Sequence, residues 1–427
     1  MQLVEQHIIR RTDSRYPPID QAAFAAQNLY NAALFLVRQS FIWENHYLDY
    51  QAVYHQMKHH EAYRALPAKV AQQVLRLLDK NWQSYFAACL AYQEDSSKFT
   101  GRPKMPKYKH KTDGRQVLIY TTQALAKAAL RHGEVCPSKL PLTVQTKQTK
   151  IHQVRIVPAC GFYVVEVVYH QSEAAPSCDP ALYAAVDLGV DVLAALTSNK
   201  KGFVPRLVNG RPLKSTNQFY NKQRAQLQEA LGHPGSTRRM ERLTVRRNRR
   251  MQHSLHTASR YIIDVLLQEG IGTLVVGKNL LWKQEVNMER VNNQHFVQIP
   301  HARFIDLLTY KAQLAGIAVI VQEESYTSKA SFLDLDPLPV FDPTKEDKYV
   351  FSGKRVKRGL YQAKDGRTLH ADVNGSYNTL RKAIPDAFGR GIEAPVVAPV
   401  QVTVGSVSLA RGASNQRGST NSSIASY

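Results

Sequence analysis

The chain has 427 residues with 56 Lys or Arg against 34 Asp or Glu, which gives a formal net charge of +22 at pH 7. This excess favours a polyanionic partner. Nucleic acid is the leading interpretation, and an anionic membrane surface is the weaker one because no amphipathic or lipidated anchor stands out. No apolar run reaches the ~18 residues that a bilayer requires, and the first residues lack a signal-peptide pattern, so we expect a cytoplasmic protein without a membrane partner. Its 4 cysteines have no paired spacing, so we expect reduced thiols and neither a zinc site nor disulfides.

The first part of the chain predicts a small β domain that is interrupted by helices. Gln2 to Arg11 partly alternate apolar and polar side chains, as a strand does, and Val117 to Tyr169 contain several strand-like runs. Between them, about Gln21 to Tyr92 have helical spacing, and Pro67 is expected to separate two helices. We therefore predict an antiparallel barrel or small sheet that the N-terminal strand completes.

A basic segment, Lys98 to Lys111, follows the helices and is too rich in Pro and Lys to be a helix interior. It could follow a nucleic-acid backbone, with a tyrosine interleaved among its cations, or it could be a solvated loop. Charge density alone favours neither interpretation. The candidate nucleic-acid contacts in this segment are Arg102, Lys104, Lys107, Tyr108 and Lys109.

Asp187 interrupts an apolar run, Tyr183-Ala-Ala-Val-Asp-Leu-Gly-Val190, which a second apolar run, Val192 to Thr197, follows. The pattern predicts a buried strand, a tight turn and an antiparallel return strand. A buried carboxylate is costly unless it is paired or holds a metal ion, so Asp187 needs a partner.

The segment from Lys200 to Arg250 carries 14 Lys or Arg and only 2 acids. Such a run is usually a solvated helix face, but this imbalance would repel itself unless phosphate neutralised it. The segment continues into an amphipathic helix, whose apolar stripe would dock while its arginines point outward. The candidate nucleic-acid contacts are Arg238, Arg239, Arg246, Arg247, Arg249 and Arg250.

The rest of the chain predicts a strand at Gly272 to Gly277, a helix from about His301 to Leu314 and a strand at Ile317 to Gln322. Asp372 then heads a run with helical spacing. Two acids that are far apart in sequence but convergent in space, Asp187 and Asp372, would form a site for divalent cations, because these ions prefer oxygen ligands.

The order of these elements, with the motifs Val186-Asp-Leu-Gly189, Tyr326-Thr-Ser328 and Asp372-Val-Asn-Gly-Ser-Tyr-Asn378, resembles the TnpB family of insertion-sequence proteins, which is related to compact type V CRISPR effectors. The resemblance covers nearly the full chain and implies a multidomain protein of α/β and α+β class. It implies a wedge-like β-barrel domain (1–14 and 98–176), an inserted helical recognition domain (15–97), and a ribonuclease-H-like (RuvC) nuclease domain (177–396) with a basic helical insertion (210–268). The Ser, Gly, Thr and Asn content of residues 397–427 predicts a disordered tail.

The sequence departs from the family pattern in two places. Gly277 stands where the family has a Glu at the end of a strand, and the segment Lys329 to Asp336 lacks the cysteines of the family's zinc ribbon, so we expect no zinc. Glu324, at the end of the neighbouring strand, could extend into the space that Gly277 leaves, with Glu323 as the alternate. Otherwise both are surface acids at a strand exit. Less favoured substitutes, because they follow a loop, are Glu285 and Glu289.

The resemblance implies an RNA-guided DNA endonuclease in which Asp187, Glu324 and Asp372 hold two Mg²⁺ or Mn²⁺ ions for phosphodiester hydrolysis. The implied partners are a guide RNA and target DNA, and the sequence leaves open whether one copy or two act. A guided DNA-binding repressor without cleavage and a DNA transposase accessory protein are the alternatives; retention of the two aspartates favours cleavage over repression.

Several polar residues near these motifs have open interpretations. Asn374 and Asn378 would position backbone or phosphate, although Asn374 could equally cap a helix. His301 could contact DNA or only begin a helix. A path for single-stranded nucleic acid could be lined by Tyr326, Thr327 and Ser328.

Overall fold

The computed structural model describes residues 1–278, 298–341, 349–389 and 398–404, and the chain folds into two compact units, Met1–Ser172 and Glu173–Tyr427. Each unit combines helices with a β-sheet. The expected multidomain class of mixed α and β structure is therefore confirmed, while the wedge, recognition and nuclease assignments stay predictions. Within the described ranges, no helix is long and apolar enough to cross a membrane.

The first unit contains the strands β1 (Gln2–Arg10), β2 (Leu118–Thr121), β3 (Glu134–Val135), β4 (Val144–Gln145), β5 (Ile151–Ala159) and β6 (Phe162–His170). Four of them form an antiparallel sheet in the order β1–β6–β5–β2, and β3 pairs with β4. The N-terminal strand runs along β6 from Gln2 opposite His170 to Arg10 opposite Phe162. The alternating N-terminal segment thus completes a sheet, and closure of that sheet into a barrel stays a prediction.

The helices of the first unit are α1 (Tyr16–Trp43), α2 (Tyr50–Met57), α3 (Glu61–Arg64), α4 (Ala68–Glu94) and α5 (Lys127–Arg131). Pro67 directly precedes α4 and separates it from α3, as predicted. A proline is tolerated at a helix start because it removes no intrahelical hydrogen bond there. Trp82 is fully buried, and the ring centroids of Phe41, Tyr47 and Phe86 lie 5.1, 5.9 and 5.7 Å from its own. These aromatic residues belong to the core of the unit.

The second unit contains β7 (Asp179–Leu188), β8 (Val192–Ser198), β9 (Arg206–Asn209), β10 (Ile271–Gly277), β11 (Ala318–Gln322), β12 (Lys354–Lys357), β13 (Leu360–Gln362), β14 (Thr368–His370) and β15 (Val400–Val402). Six of them form one sheet in the order β11–β10–β7–β8–β9–β15. β8 returns antiparallel to β7, as predicted, and β10 lies between β7 and β11 and is parallel to both. The carboxyl ends of β7, β10 and β11 therefore meet at one edge of the sheet.

The helices of the second unit are α6 (Arg211–Leu231), α7 (Arg238–Glu269), α8 (His301–Leu314) and α9 (Ala371–Ala383). The Thr237 hydroxyl caps the start of α7 by accepting the Met240 N–H, and Gly270, with φ 69°, ends it in the left-handed conformation that glycine tolerates. The predicted apolar stripe of α7 is buried, which confirms that the helix docks by it; its members are Met251, Leu255, Ala258, Ile262 and Val265.

The prediction that residues 397–427 form a disordered tail is wrong at the start of this segment. Val400–Val402 form β15, which pairs in parallel with β9, and Val402 is buried. Two valines that flank a glutamine suit a strand, and the pairing with β9 and the burial of Val402 stabilise a segment whose local composition predicts no strand. Residues 405–427 lie outside the described part of the chain.

Asp336 forms hydrogen bonds that hold the segment Lys329 to Asp336, in which the sequence lacks zinc ligands. Its carboxylate accepts the N–H of Ser331 at 2.8 Å, the N–H of Ser352 at 3.0 Å and the hydroxyl of Ser352 at 2.6 Å. Nearby, Phe332 is fully buried and stacks on Tyr377 with ring centroids 4.4 Å apart. The small antiparallel sheet β12–β13–β14 follows. Hydrogen bonds and aromatic packing hold this segment in the described structure.

Candidate functional site

The strand register places Asp187 beside a glycine at the edge of the sheet. Val276 pairs with Val186, so Gly277 lies beside Asp187, and Gly277 in turn pairs with Gln322 of β11. Glu324 follows Gln322 by two residues, just past the end of its strand. Three neighbouring parallel strands thus bring two carboxylates and a glycine to the same end of the sheet.

Glu324 fills the space that a side chain at position 277 would occupy. A Cβ atom built on Gly277 would lie 1.6 Å from Glu324 Oε1 and 2.6 Å from Glu324 Cγ, distances that no real pair of atoms tolerates. Glu324 is only 8% exposed, so its carboxyl group is directed into the site. The absence of a side chain at Gly277 is therefore a condition for this position of Glu324.

Asp187 and Glu324 are hydrogen-bonded to each other. Burial, and then the charge of Asp372, raises the pKa of Asp187 well above its ordinary value. Burial, and then the charge of Asp187, raises the pKa of Glu324 as well, and the hydrogen bond favours its protonated form. Both directions favour a proton on the pair when no cation is bound. A divalent ion would compete with that proton for the same oxygen atoms.

Helix α9 approaches Asp187 closely because it has a glycine on that face. A Cβ atom on Gly375 would lie 2.9 Å from Asp187 Oδ2. Asp372 stands in the first turn of the same helix, where the His370 ring accepts its backbone N–H at 3.3 Å. Gly277 and Gly375 thus leave room on two sides for the Asp187 and Glu324 side chains.

Asp372 affects the Asp187–Glu324 pair through its charge and not through a hydrogen bond. Its Oδ1 lies 4.0 Å from Arg355 Nη2 and its Oδ2 lies 3.9 Å from His370 Nδ1. Among the described residues, no three His, Cys, Asp or Glu side chains are close enough together to form a metal site as they stand. The structure therefore brings Asp187 and Glu324 into contact, with Asp372 near enough to influence the Asp187 charge. Every acidic donor here is an oxygen atom, which suits Mg²⁺ or Mn²⁺.

Glu323, the alternate ligand, is engaged elsewhere. Its carboxylate lies 2.6 Å from the ammonium of Lys382 and accepts hydrogen bonds from the backbone and hydroxyl of Ser325. Lys382 is nearly buried and also donates to the carbonyls of Ser325 and Pro339. The structure thus assigns Glu323 to a structural ion pair. The less favoured substitutes, Glu285 and Glu289, lie outside the described residues.

Three further predicted residues are structural. Asn374 is fully buried, accepts the Phe332 N–H at 2.9 Å and donates to the Ala330 carbonyl at 2.8 Å, so it fixes backbone and does not cap α9. Asn378 donates to the carbonyls of Thr327 and Ala330. His301 begins α8 and is fully buried with Nε2 3.0 Å from the Gly189 carbonyl, which agrees with the alternative that it begins a helix and disfavours a DNA contact.

The basic segment of the first unit is held against α1. Its cations at Arg102, Lys104 and Lys107 are exposed, and Tyr108 is 44% exposed with the Arg38 guanidinium 5.2 Å from its ring centroid. Lys109 differs from the others. Its ammonium lies 5.7 Å from the centroid of a buried tyrosine, and burial lowers its pKa; that tyrosine is Tyr30. A direct phosphate contact by Lys109 is therefore disfavoured.

The basic helix α7 presents some of its arginines to solvent and buries others in part. The exposed ones are Arg238, Arg239, Arg246 and Arg250, and Arg249 is half-buried. Arg247 is half-buried, donates to Asn217 Oδ1 and the Gln298 carbonyl at 2.8 Å each, and lies 5.8 Å from the Tyr220 ring centroid. These contacts disfavour a nucleic-acid contact by Arg247, and its predicted role stays a prediction.

Two cations were missed by the sequence interpretation. Arg242 lines a cleft of about 240 Å³ with Arg239 and Arg246, and their helical spacing was the available signal. Arg355 lies beside Asp372 and was signalled only by the basic run Lys354-Arg-Val-Lys-Arg358.

Arg247→Gln should destabilise the fold, whereas Arg246→Gln should weaken nucleic-acid binding. Loss of two charged hydrogen bonds at Arg247 is expected to cost about 2 kcal/mol of unfolding free energy. Arg246 is exposed, and its removal should lower affinity for DNA of any sequence and flatten the salt dependence, because fewer counterions are released. Thermal unfolding and DNA binding at several salt concentrations measure the two effects. Similar results for both variants would contradict this division of roles.

Two family models and one curated relative match parts of the chain. A family model described as "Probable transposase" matches residues 164–283, and one described as "Cas12f1-like, TNB domain" matches residues 301–379. The "TnpB-like protein ORF457" of Acidianus two-tailed virus is 23% identical over 212 residues, which are 47% of this chain and 42% of that protein. The chain thus matches less than half the length of this curated relative.

Two solved structures are similar over most of their length. A cryo-EM structure of a Cas12f1–sgRNA–target DNA complex is 14% identical, with a TM-score of 0.48, and the match covers 84% of this chain and 81% of that one. The mini RNA-guided endonuclease CRISPR-Cas_phi3 is 8% identical, with a TM-score of 0.44, over 92% of this chain and 94% of that one.

Proposed function

This chain belongs to the TnpB family, and on that premise we propose that it is the RNA-guided DNA endonuclease of an insertion sequence. The observation that carries the proposal is the Asp187–Glu324 pair, with Asp372 nearby, at the carboxyl edge of three parallel strands. Two buried carboxyl groups whose charged forms repel each other lower stability as they ionise, and a structural role does not explain them. Binding of cations does.

Asp187, Glu324 and Asp372 would hold Mg²⁺ or Mn²⁺. When bound, these ions activate water and stabilise the leaving oxygen of a phosphodiester. The chain's own residues arrange the ligands. Gly277 gives Glu324 its place, Gly375 lets α9 approach Asp187, and Lys382 keeps Glu323 out of the site. Arg355, beside Asp372, supplies a cation toward a scissile phosphate.

The exposed cations would bind nucleic acid mainly through phosphates. Arg238, Arg239, Arg242, Arg246 and Arg250 have the helical spacing and exposure that a phosphate backbone requires. In the proposed function, base pairing between a guide RNA and the target strand supplies sequence specificity, so the protein needs few base contacts. The strong positive charge of the chain suits this division.

The test begins with RNA that co-purifies with the full-length chain. We expect a defined RNA species, and its sequence gives the DNA target to use. Protein with that RNA should cleave matched DNA in Mg²⁺, and neither a mismatched DNA nor EDTA-treated protein should give product. Matched DNA that is bound tightly but never cut would favour the guided repressor. Absence of any specific RNA would contradict guidance altogether.

A further inference from the structure

Three aromatic rings form a partly exposed cluster next to the candidate site. The ring centroid of Tyr326 lies 5.1 Å from that of Tyr349 and 6.0 Å from that of Phe351. Tyr326 and Phe351 are half-buried, and Tyr349 is 38% exposed. The second unit also has a buried aromatic stack, whose members Phe332 and Tyr377 are at most 1% exposed. The first cluster differs because its rings remain accessible to a flat ligand.

Tyr326 has a backbone conformation that is unfavourable for its side chain. Its φ is +65°, in the left-handed region, where a bulky residue other than glycine is a rare outlier. The turn is fixed on both sides, since the Thr327 N–H and hydroxyl donate to the Glu324 carbonyl and Asn378 donates to the Thr327 carbonyl. Strain of this kind persists where surrounding contacts impose it, and it is concentrated at functional sites.

The same hydrogen bonds connect the cluster to the carboxylates. Glu324, whose carbonyl Thr327 binds, directs its side chain to Asp187. On the other side, Phe351 precedes the basic strand β12, in which Arg355 lies 4.0 Å from Asp372. The accessible rings therefore belong to the two chain segments that also place Glu324 and Arg355 at the site.

One cation lies beside the rings, and others follow Phe351 in the sequence. The Lys329 ammonium lies 5.9 Å from the Tyr326 ring centroid, and β12 and its following turn expose four cations. These four are Lys354, Arg355, Lys357 and Arg358. Aromatic faces among cations match a single-stranded nucleic acid, in which unpaired bases stack and phosphates carry negative charge.

We propose that Tyr326, Tyr349 and Phe351, the aromatic platform, stack one unpaired base of the DNA strand that is to be cut. This inference rests on the proposed endonuclease function. Lys329 and the β12 cations bind the adjoining phosphates, and the stacked base holds the strand where the neighbouring phosphodiester faces Asp187 and Glu324. The platform is thus a positioning site for single-stranded DNA without base specificity, because every base has an aromatic face.

The direct test uses full-length protein with Asp187→Ala, so that DNA stays intact, and a single-stranded oligodeoxynucleotide with one 2-aminopurine. Stacking on the platform should quench the fluorescence of that base. Tyr326→Gly in the same background should abolish the quenching and weaken binding roughly five- to a hundredfold. Glycine adopts the positive φ without strain, so the turn should persist and the thermal midpoint should not fall. Tyr326→Phe should retain the quenching.

Matched controls separate stacking from charge and packing. Lys329→Gln should weaken binding at low salt while the quenching at saturation stays the same. Phe341, which is 62% exposed and lies outside the platform, provides Phe341→Ala as an aromatic substitution without effect. Unchanged quenching in both Tyr326→Gly and Tyr349→Ala would overturn the inference, as would a lower thermal midpoint in Tyr326→Gly with quenching intact.

Failure of the platform and failure of the proposed function give different results. If wild-type protein cuts DNA in Mg²⁺ but the platform variants quench normally, the endonuclease stands and the platform is wrong. If wild-type protein never cuts but Tyr326→Gly loses the quenching, the single-strand site stands and the endonuclease is wrong.

Discussion

Asp187→Ala and Asp372→Ala should each abolish guided DNA cleavage and leave guided DNA binding nearly unchanged. A bound metal ion contributes several kcal/mol of charge stabilisation in the transition state. Loss of one of its ligands should therefore lower the cleavage rate roughly a thousandfold or more. Binding should persist because the exposed arginines, which are separate groups, supply the phosphate contacts. Cleavage of matched DNA and its binding by gel shift measure the two properties.

Asp365 provides the matched control. It is an exposed carboxylate paired with Arg367, and it lies on the same chain segment as Asp372 but outside the site. Asp365→Ala should cut at the wild-type rate. Equal loss of binding and cleavage in the Asp187 and Asp372 variants would show that these residues maintain the fold, and the metal assignment would then fail.

Moving the glutamate from position 324 to position 277 should have the second large effect on the cleavage rate. Glu324→Ala should lose cleavage to a similar extent as Asp187→Ala. Gly277→Glu alone should also be inactive, because its Cβ would lie 1.6 Å from Glu324 Oε1 and one side chain must be displaced. Combining Gly277→Glu with Glu324→Ala removes the clash and returns a carboxylate to the space beside Asp187. We expect the double variant to recover at least about tenfold over either single variant, which corresponds to ~1.4 kcal/mol.

Glu324→Gln tests the charge without changing the shape. It should lose cleavage, yet its thermal midpoint at neutral pH should equal or exceed that of the wild type, because Gln has no charge to bury beside Asp187 and its amide can still donate a hydrogen bond to that carboxylate. The folded state raises the pKa of both carboxyl groups, so wild-type stability is fully present below their ordinary pKa values and falls as pH rises toward the raised ones. The Gln variant should show a weaker fall over that range.

Glu323→Gln is the control for this pair of acids. It breaks the ion pair with the nearly buried Lys382 and should lower stability while cleavage remains. Loss of cleavage in Glu323→Gln with normal cleavage in Glu324→Gln would reverse the assignment. Normal cleavage in both variants would show that neither acid replaces the family's glutamate.

The sequence by itself determined the elements that carry the acids. Apolar runs and their spacing located β7 with Asp187, the return strand β8, the strands β10 and β11, and the helix that has Asp372 in its first turn. These features depend on local periodicity, which a single sequence records directly. Motif order then predicted the family, and the family pattern drew attention to Gly277 as a missing acid.

Only the tertiary structure decided which side chains face the site. The alternation of side chains along β11 could not show which of Glu323 and Glu324 faces Asp187, because both follow the end of the strand. The ion pair between Glu323 and Lys382, which is 59 residues away, decides it. Likewise, helical spacing placed arginines around α7 without showing that α6 covers Arg247. Val400 and Val402 belong to a sheet because β15 pairs with β9, which lies 194 residues earlier in the chain. In each case the deciding contact is non-local, and burial against a distant segment outweighs local propensity because packing supplies more free energy.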